Sequence, residues 1–125
     1  MRIRLAAGGA LIAVLLGALS ATALAGHAKA NVAAPTKISV SAGEFYFTLS
    51  KSSIAKPGTV IFTVTNKGKI AHDFEIQALH KSTKLLQPGQ KQTLTVKFTK
   101  KGSFYYLCTV PRHAQEGMAG SFVVK

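Results

Sequence analysis

Tryptophan is absent from this sequence, cysteine occurs once, and only Glu44, Asp73, Glu75 and Glu116 carry negative side chains. A single cysteine rules out an intrachain disulfide, so nothing covalent staples the fold. Four scattered carboxylates leave no acid–base pair of the kind a hydrolytic or proton-transfer enzyme needs beside a cleft. After residue 30 no stretch shows the three-and-four spacing of an amphipathic helix.

What is present begins with an address label. Arg2 and Arg4 form a basic start, Leu5 to Leu19 is uncharged and apolar, and Ala23-Leu24-Ala25 ends in a small-x-small pattern. This is the layout of a secretory signal peptide. Residues 1–25 are therefore read as a signal peptide and 26–35 as a linker, with 36–125 as the folded domain. The alternatives are cleavage after Ala30, at Ala28-Lys29-Ala30, and retention of the segment as an N-terminal membrane anchor. Either route makes the protein exported, with the periplasm as the expected compartment. There, a lone thiol would oxidise unless buried or held by a metal.

From Asn31 onward, thirteen basic side chains face four acidic ones, a net charge of +9, and twelve of the thirteen are lysines. They are scattered beside turns and between apolar residues, which suits the solvated faces and guarded edges of strands. Without an arginine-rich or aromatic-interleaved stripe, nucleic acid is not an expected partner. The excess predicts steering toward acidic protein surfaces, with weak association to an anionic membrane surface as a second outlet.

Alternation of period two runs through this part. Ile38 and Val40 alternate with polar neighbours, as do Phe45, Phe47 and Leu49, then Val60, Phe62 and Val64, and later Leu94, Val96 and Phe98. Lys56-Pro57-Gly58, Asn66-Lys67-Gly68, Gln87-Pro88-Gly89-Gln90 and Lys100-Lys101-Gly102 supply turns. The pattern predicts an all-β fold, a small Greek-key β-sandwich of about seven or eight antiparallel strands.

Four residues carry the chemistry. His72 opens a run in which His72, Phe74, Ile76 and Ala78 share the apolar face, so its imidazole points inward at a strand end. Phe104, Tyr106 and Cys108 share a parity, which delivers the cysteine to the mouth of a loop bearing His113 and Met118. The order is His, then Cys-x4-His-x4-Met. Each residue has an ordinary explanation in isolation, as a core histidine or a small buried thiol. Together, two imidazoles, a thiolate and a thioether form the donor set of a copper electron-transfer site. His80 and the connection from His80 to Lys91 read as polar and exposed.

From about Thr36 to Lys125 the chain resembles the cupredoxins, the plastocyanin and azurin family of blue copper proteins. Cys108-Thr109-Val110-Pro111-Arg112-His113 is similar to the azurin loop, and Tyr105-Tyr106-Leu107-Cys108 with His113-Ala114 and Gly117-Met118 is similar to the rusticyanin loop. The resemblance implies one type 1 copper ion held by His72, Cys108 and His113, with Met118 axial. Arg112 stands where such loops often carry glycine, which argues against a positive φ there. Asp73 stands where plastocyanin and azurin have asparagine, and either residue is placed to tie the His72 strand to the Cys108 loop. An apolar collar of Ile70, Ala71, Pro111, Ala114 and Met118 is expected around the His113 ring edge.

The function expected on these grounds is that of an exported blue-copper carrier, a monomer shuttling single electrons between redox partner proteins. The alternative is a copper-binding module for delivery or storage. An enzyme is not expected, since a second copper would need more histidines, and a binuclear centre a second cysteine.

Overall fold

The computed structural model describes residues 8–10, 26 and 31–125, and Asn31–Lys125 forms a compact unit of its own. The expected signal peptide and its cleavage sites lie outside the described residues, apart from residues 8–10 and 26.

Nine strands are formed among the described residues: β1 (Thr36–Gly43), β2 (Tyr46–Leu49), β3 (Ser53–Ile54), β4 (Gly58–Asn66), β5 (Glu75–Ile76), β6 (Lys81–Ser82), β7 (Lys91–Phe98), β8 (Gly102–Leu107) and β9 (Ala119–Val124). They make two sheets, one of order β2-β1-β4-β7 and one of order β3-β9-β8-β5-β6. The β-branched and aromatic residues of β4 and β7 alternate as their sequence predicts, and Val60, Phe62, Val64, Val96 and Phe98 are buried. Their register places Phe62 opposite Leu94 and Val60 opposite Val96, so these side chains pair across the strands on the inner face.

Between the sheets lies a stack of rings. Phe62 packs on Phe74 and on Phe122, each at 5.4 Å between centroids, and Phe98 packs on Phe122 at 5.3 Å. Burying each such side chain contributes about 1.5–3 kcal/mol. With its one cysteine free, the unit has no disulfide, and its core is held by packing of this kind.

Three expectations need correction. The sandwich is mixed, not wholly antiparallel: β1 runs parallel to β4, with Val40 opposite Val64, and β3 runs parallel to β9. Parallel neighbours need a crossover; after β1 and its hairpin partner β2, the chain visits the other sheet at β3 before returning as β4. The run from His72 is also not one strand. His72 makes an isolated bridge to Leu86, only Glu75–Ile76 is regular strand, and Gln77–Leu79 turns as a 3₁₀ helix that leaves Ala78 exposed. The segment after His80 is accordingly less polar in its role than its composition implied, since Thr83 and Leu86 are buried. Thr83 holds Phe74 from both sides of the peptide, its N–H donating to the Phe74 carbonyl at 3.0 Å and its Oγ1 accepting from the Phe74 N–H at 3.1 Å.

Candidate metal centre

The site is built where two loops meet. One loop follows β4 and ends at His72, whose N–H donates to the Leu86 carbonyl at 3.0 Å while its carbonyl accepts from the Leu86 N–H at 2.8 Å. These two bonds fix the backbone at a fully buried imidazole.

The other loop joins β8 to β9 and is folded by its own backbone. The Cys108 N–H donates to the Met118 carbonyl (3.0 Å), the Met118 N–H to the His113 carbonyl (3.0 Å), and the His113 N–H to the Val110 carbonyl (3.1 Å). Cys108 and His113, five positions apart, are thereby brought together. Cys108 Sγ lies 3.5 Å from His113 Nδ1 and 4.0 Å from His72 Nδ1, and the two Nδ1 atoms are 3.2 Å apart. All three donor atoms fall within 4.8 Å of one another. Met118 is fully buried and packs with Cys108 and Ala42 beneath this cluster.

Protonation follows burial. Loss of solvent pushes the Cys108 thiol up and the His113 imidazole down, with the neighbouring His72 ring reinforcing the second shift. The imidazole thus keeps a free lone pair, and the thiol would be deprotonated by a metal on binding.

Two carboxylates brace the cluster. Asp73 accepts from the Thr109 N–H at 2.6 Å through Oδ1 and from the Thr109 hydroxyl through Oδ2. The tie between the His72 segment and the Cys108 loop is therefore made by Asp73. Glu44, at the β1–β2 turn, lies on the far side of His72, its Oε1 being 3.0 Å from His72 Nε2. The same oxygen accepts from the N–H groups of Lys69 (2.7 Å) and Ile70 (3.0 Å). These bonds, that of Ile70 first, hold the Glu44 carboxyl down at about 2.

The donor set of two imidazoles, one thiol and one buried thioether is that of a type 1 copper site. The family model described as a cupredoxin-like domain matches residues 10–124. The chain belongs to the cupredoxin-like family. Among solved structures, this cupredoxin is similar to the dithionite-reduced auracyanin of Roseiflexus castenholzii, with a TM-score of 0.61 and 22% identity, covering 74% of this chain and 99% of that one. Auracyanin A, a blue copper protein from Chloroflexus aurantiacus, gives a TM-score of 0.59 and 18% identity over 74% of this chain and 100% of that one. A chain of a heme-copper terminal oxidase dimer gives 0.59 and 19%, covering 72% of this chain and 65% of that one. At these identities the likeness is one of fold. No curated protein matches by sequence.

Some expectations about this cupredoxin's loop are overturned. Arg112 does adopt a positive φ, 73°, a left-handed conformation that costs a side-chain-bearing residue about 1–2 kcal/mol. It persists because the bonds on either side close the turn, the Arg112 carbonyl itself accepting from the Glu116 N–H at 3.1 Å. Met118 is buried and forms no part of an exposed collar, whereas Ile70 and Pro111 are exposed. Phe45 takes a place in that collar, its ring 4.9 Å from that of His113 in an edge arrangement. Phe45 belongs to an alternating run, which predicts a strand, so nothing in the sequence marks it as a neighbour of His113. His80 is exposed, as read, at the end of the 3₁₀ turn.

Proposed function

We propose that this cupredoxin is an exported type 1 copper protein that shuttles single electrons between partner proteins. The observation that carries the reading is the convergence of His72, Cys108 and His113 with Met118 packed beside the thiol. His72, Cys108, His113 and Met118 would hold the copper. Copper bound there would supply a one-electron Cu(II)/Cu(I) couple.

What the chain contributes is order and exclusion. His72, Cys108 and Met118 are 0%, 1% and 0% exposed, so water is kept from three of the four donors. His113 is 8% exposed, which makes its ring the contact between the site and a docked partner. The loop bonds among Cys108, His113 and Met118 hold the donors before metal arrives, limiting rearrangement between oxidation states. The N-terminal segment, read as an export signal, agrees with a compartment where a free thiol needs a metal or burial.

Titrating the apoprotein with Cu(II) tests the reading. An intense visible thiolate-to-copper band and a reversible one-electron wave are expected; a colourless adduct stripped by a mild chelator would point to a delivery or storage module. Met118→Leu should keep copper and colour but raise the potential by about 59 mV, a tenfold change in relative affinity for a one-electron couple, since loss of the weak donor disfavours Cu(II). Voltammetry of the variant checks this, and an unchanged or lowered potential would remove Met118 from the ligand set.

The lysine excess is assigned to steering. Electron exchange with an acidic redox partner is expected to slow by about tenfold or more as salt rises from low to physiological strength, because exposed charges are screened beyond about 8 Å. Stopped-flow rates against ionic strength would show it. A flat dependence would leave the lysines only a role in solubility.

A further inference from the structure

The loop that delivers His72 reads in sequence as flexible, with Lys67-Gly68-Lys69 at its start. In the fold it is pinned from two sides. Within, the fully buried Asn66 donates through Nδ2 to the carbonyls of Ile70 and Leu86, each at 2.8 Å, and accepts the Gly68 N–H through Oδ1 at 2.8 Å. Without, Glu44 gathers the Lys69 and Ile70 N–H groups and His72 Nε2 onto one oxygen.

A carboxylate bonded in this way can only accept. The proton of a neutral His72 ring must therefore sit on Nε2, and the lone pair on Nδ1. Nδ1 is the nitrogen that lies 3.2 Å from His113 Nδ1 and 4.0 Å from Cys108 Sγ. The fit around the carboxylate is close. A Cβ placed on Gly68 would lie 2.3 Å from Glu44 Oε1, so the loop leaves room for that oxygen only with glycine at 68.

We propose that Glu44 is a positioning residue, which locks His72 in the Nε2–H tautomer with Nδ1 presented to the site and sets a negative charge behind that ligand to lower the reduction potential. The tautomer follows from geometry alone; the effect on potential rests on the copper reading above. A carboxylate behind a metal-bound histidine orients the ring and raises its basicity. The raised basicity and the negative charge both favour the more highly charged Cu(II).

Glu44→Gln, Glu44→Ala and Gly68→Ala separate position from charge. In Glu44→Gln an amide oxygen can still accept from all three donors, but the charge is gone. Nitrogen-15 NMR of the copper-free proteins should find His72 protonated on Nε2 in the wild type and in Glu44→Gln. Glu44→Ala should show the Nδ1–H form as well, and Gly68→Ala should follow it by displacing a carboxylate still present in the sequence. In the copper-loaded proteins, Glu44→Gln and Glu44→Ala should both lose about tenfold in Cu(II) over Cu(I) affinity, a rise of about 59 mV.

A wild-type tautomer in Glu44→Ala would overturn the positioning role, and an unchanged potential in Glu44→Gln would overturn the electrostatic one. The copper reading fails separately, through absence of the visible band in the wild-type protein, and the apoprotein NMR decides the tautomer in that event too.

Discussion

Cys108→Ser is expected to abolish the intense visible band of the copper-loaded protein entirely. The band requires charge transfer from a thiolate, and Cys108 is the one cysteine in the chain. A serine hydroxyl at the same place stays protonated and is a hard, weak donor, so copper would be left with two imidazoles and a thioether. The substitution is nearly isosteric. Its neighbours, Ala42 and Met118, still pack against the position, and far-ultraviolet circular dichroism should match the wild type. Retained blue absorbance in a folded Cys108→Ser protein would refute the ligand assignment.

Asp73→Ala is expected to destabilise the copper-free protein by about 1.5–3 kcal/mol, the range for hydrogen bonds to a charged group, out of about 5–15 kcal/mol for a domain. Asp73 is largely buried and is the acceptor for both the N–H and the hydroxyl of Thr109, next to the cysteine. Removing the carboxylate unties the Cys108 loop from the His72 segment. Asp73→Asn should recover most of the loss, since its amide oxygen can take the Thr109 N–H and its nitrogen can donate to the hydroxyl. Urea midpoints of the three proteins measure this. Equal midpoints for wild type and Asp73→Ala would show that the tie contributes nothing to stability.

How far the sequence alone could go depended on the range of the interactions. β4 and β7 were legible because period-two alternation records which face is buried, and Val60, Phe62, Val96 and Phe98 all face inward. Alternation says nothing about the direction of a partner strand, so the parallel β1–β4 pairing was hidden. His72, Cys108, His113 and Met118 stood out because three of them share one loop with even spacing.

Residues acting on these donors from elsewhere were not legible. Glu44 lies 28 positions before His72 and meets it only across the fold, and Phe45 reaches His113 by the same turn. Arg112 is a related case. Local preference disfavours its φ of 73°, but the loop's own hydrogen bonds decide the turn. Met118 likewise looks exposable in a Gly-flanked stretch until its N–H and carbonyl are seen bonded to His113 and Cys108.

The central claim is that the imidazole of His72 and, from a distant loop, the sulfur of Cys108 and the imidazole of His113 grip a single ion. X-ray absorption at the copper edge of the loaded protein tests it most directly. The account predicts one short sulfur scatterer together with two imidazole nitrogens; a shell of nitrogen and oxygen alone, with no short copper–sulfur distance, would contradict it.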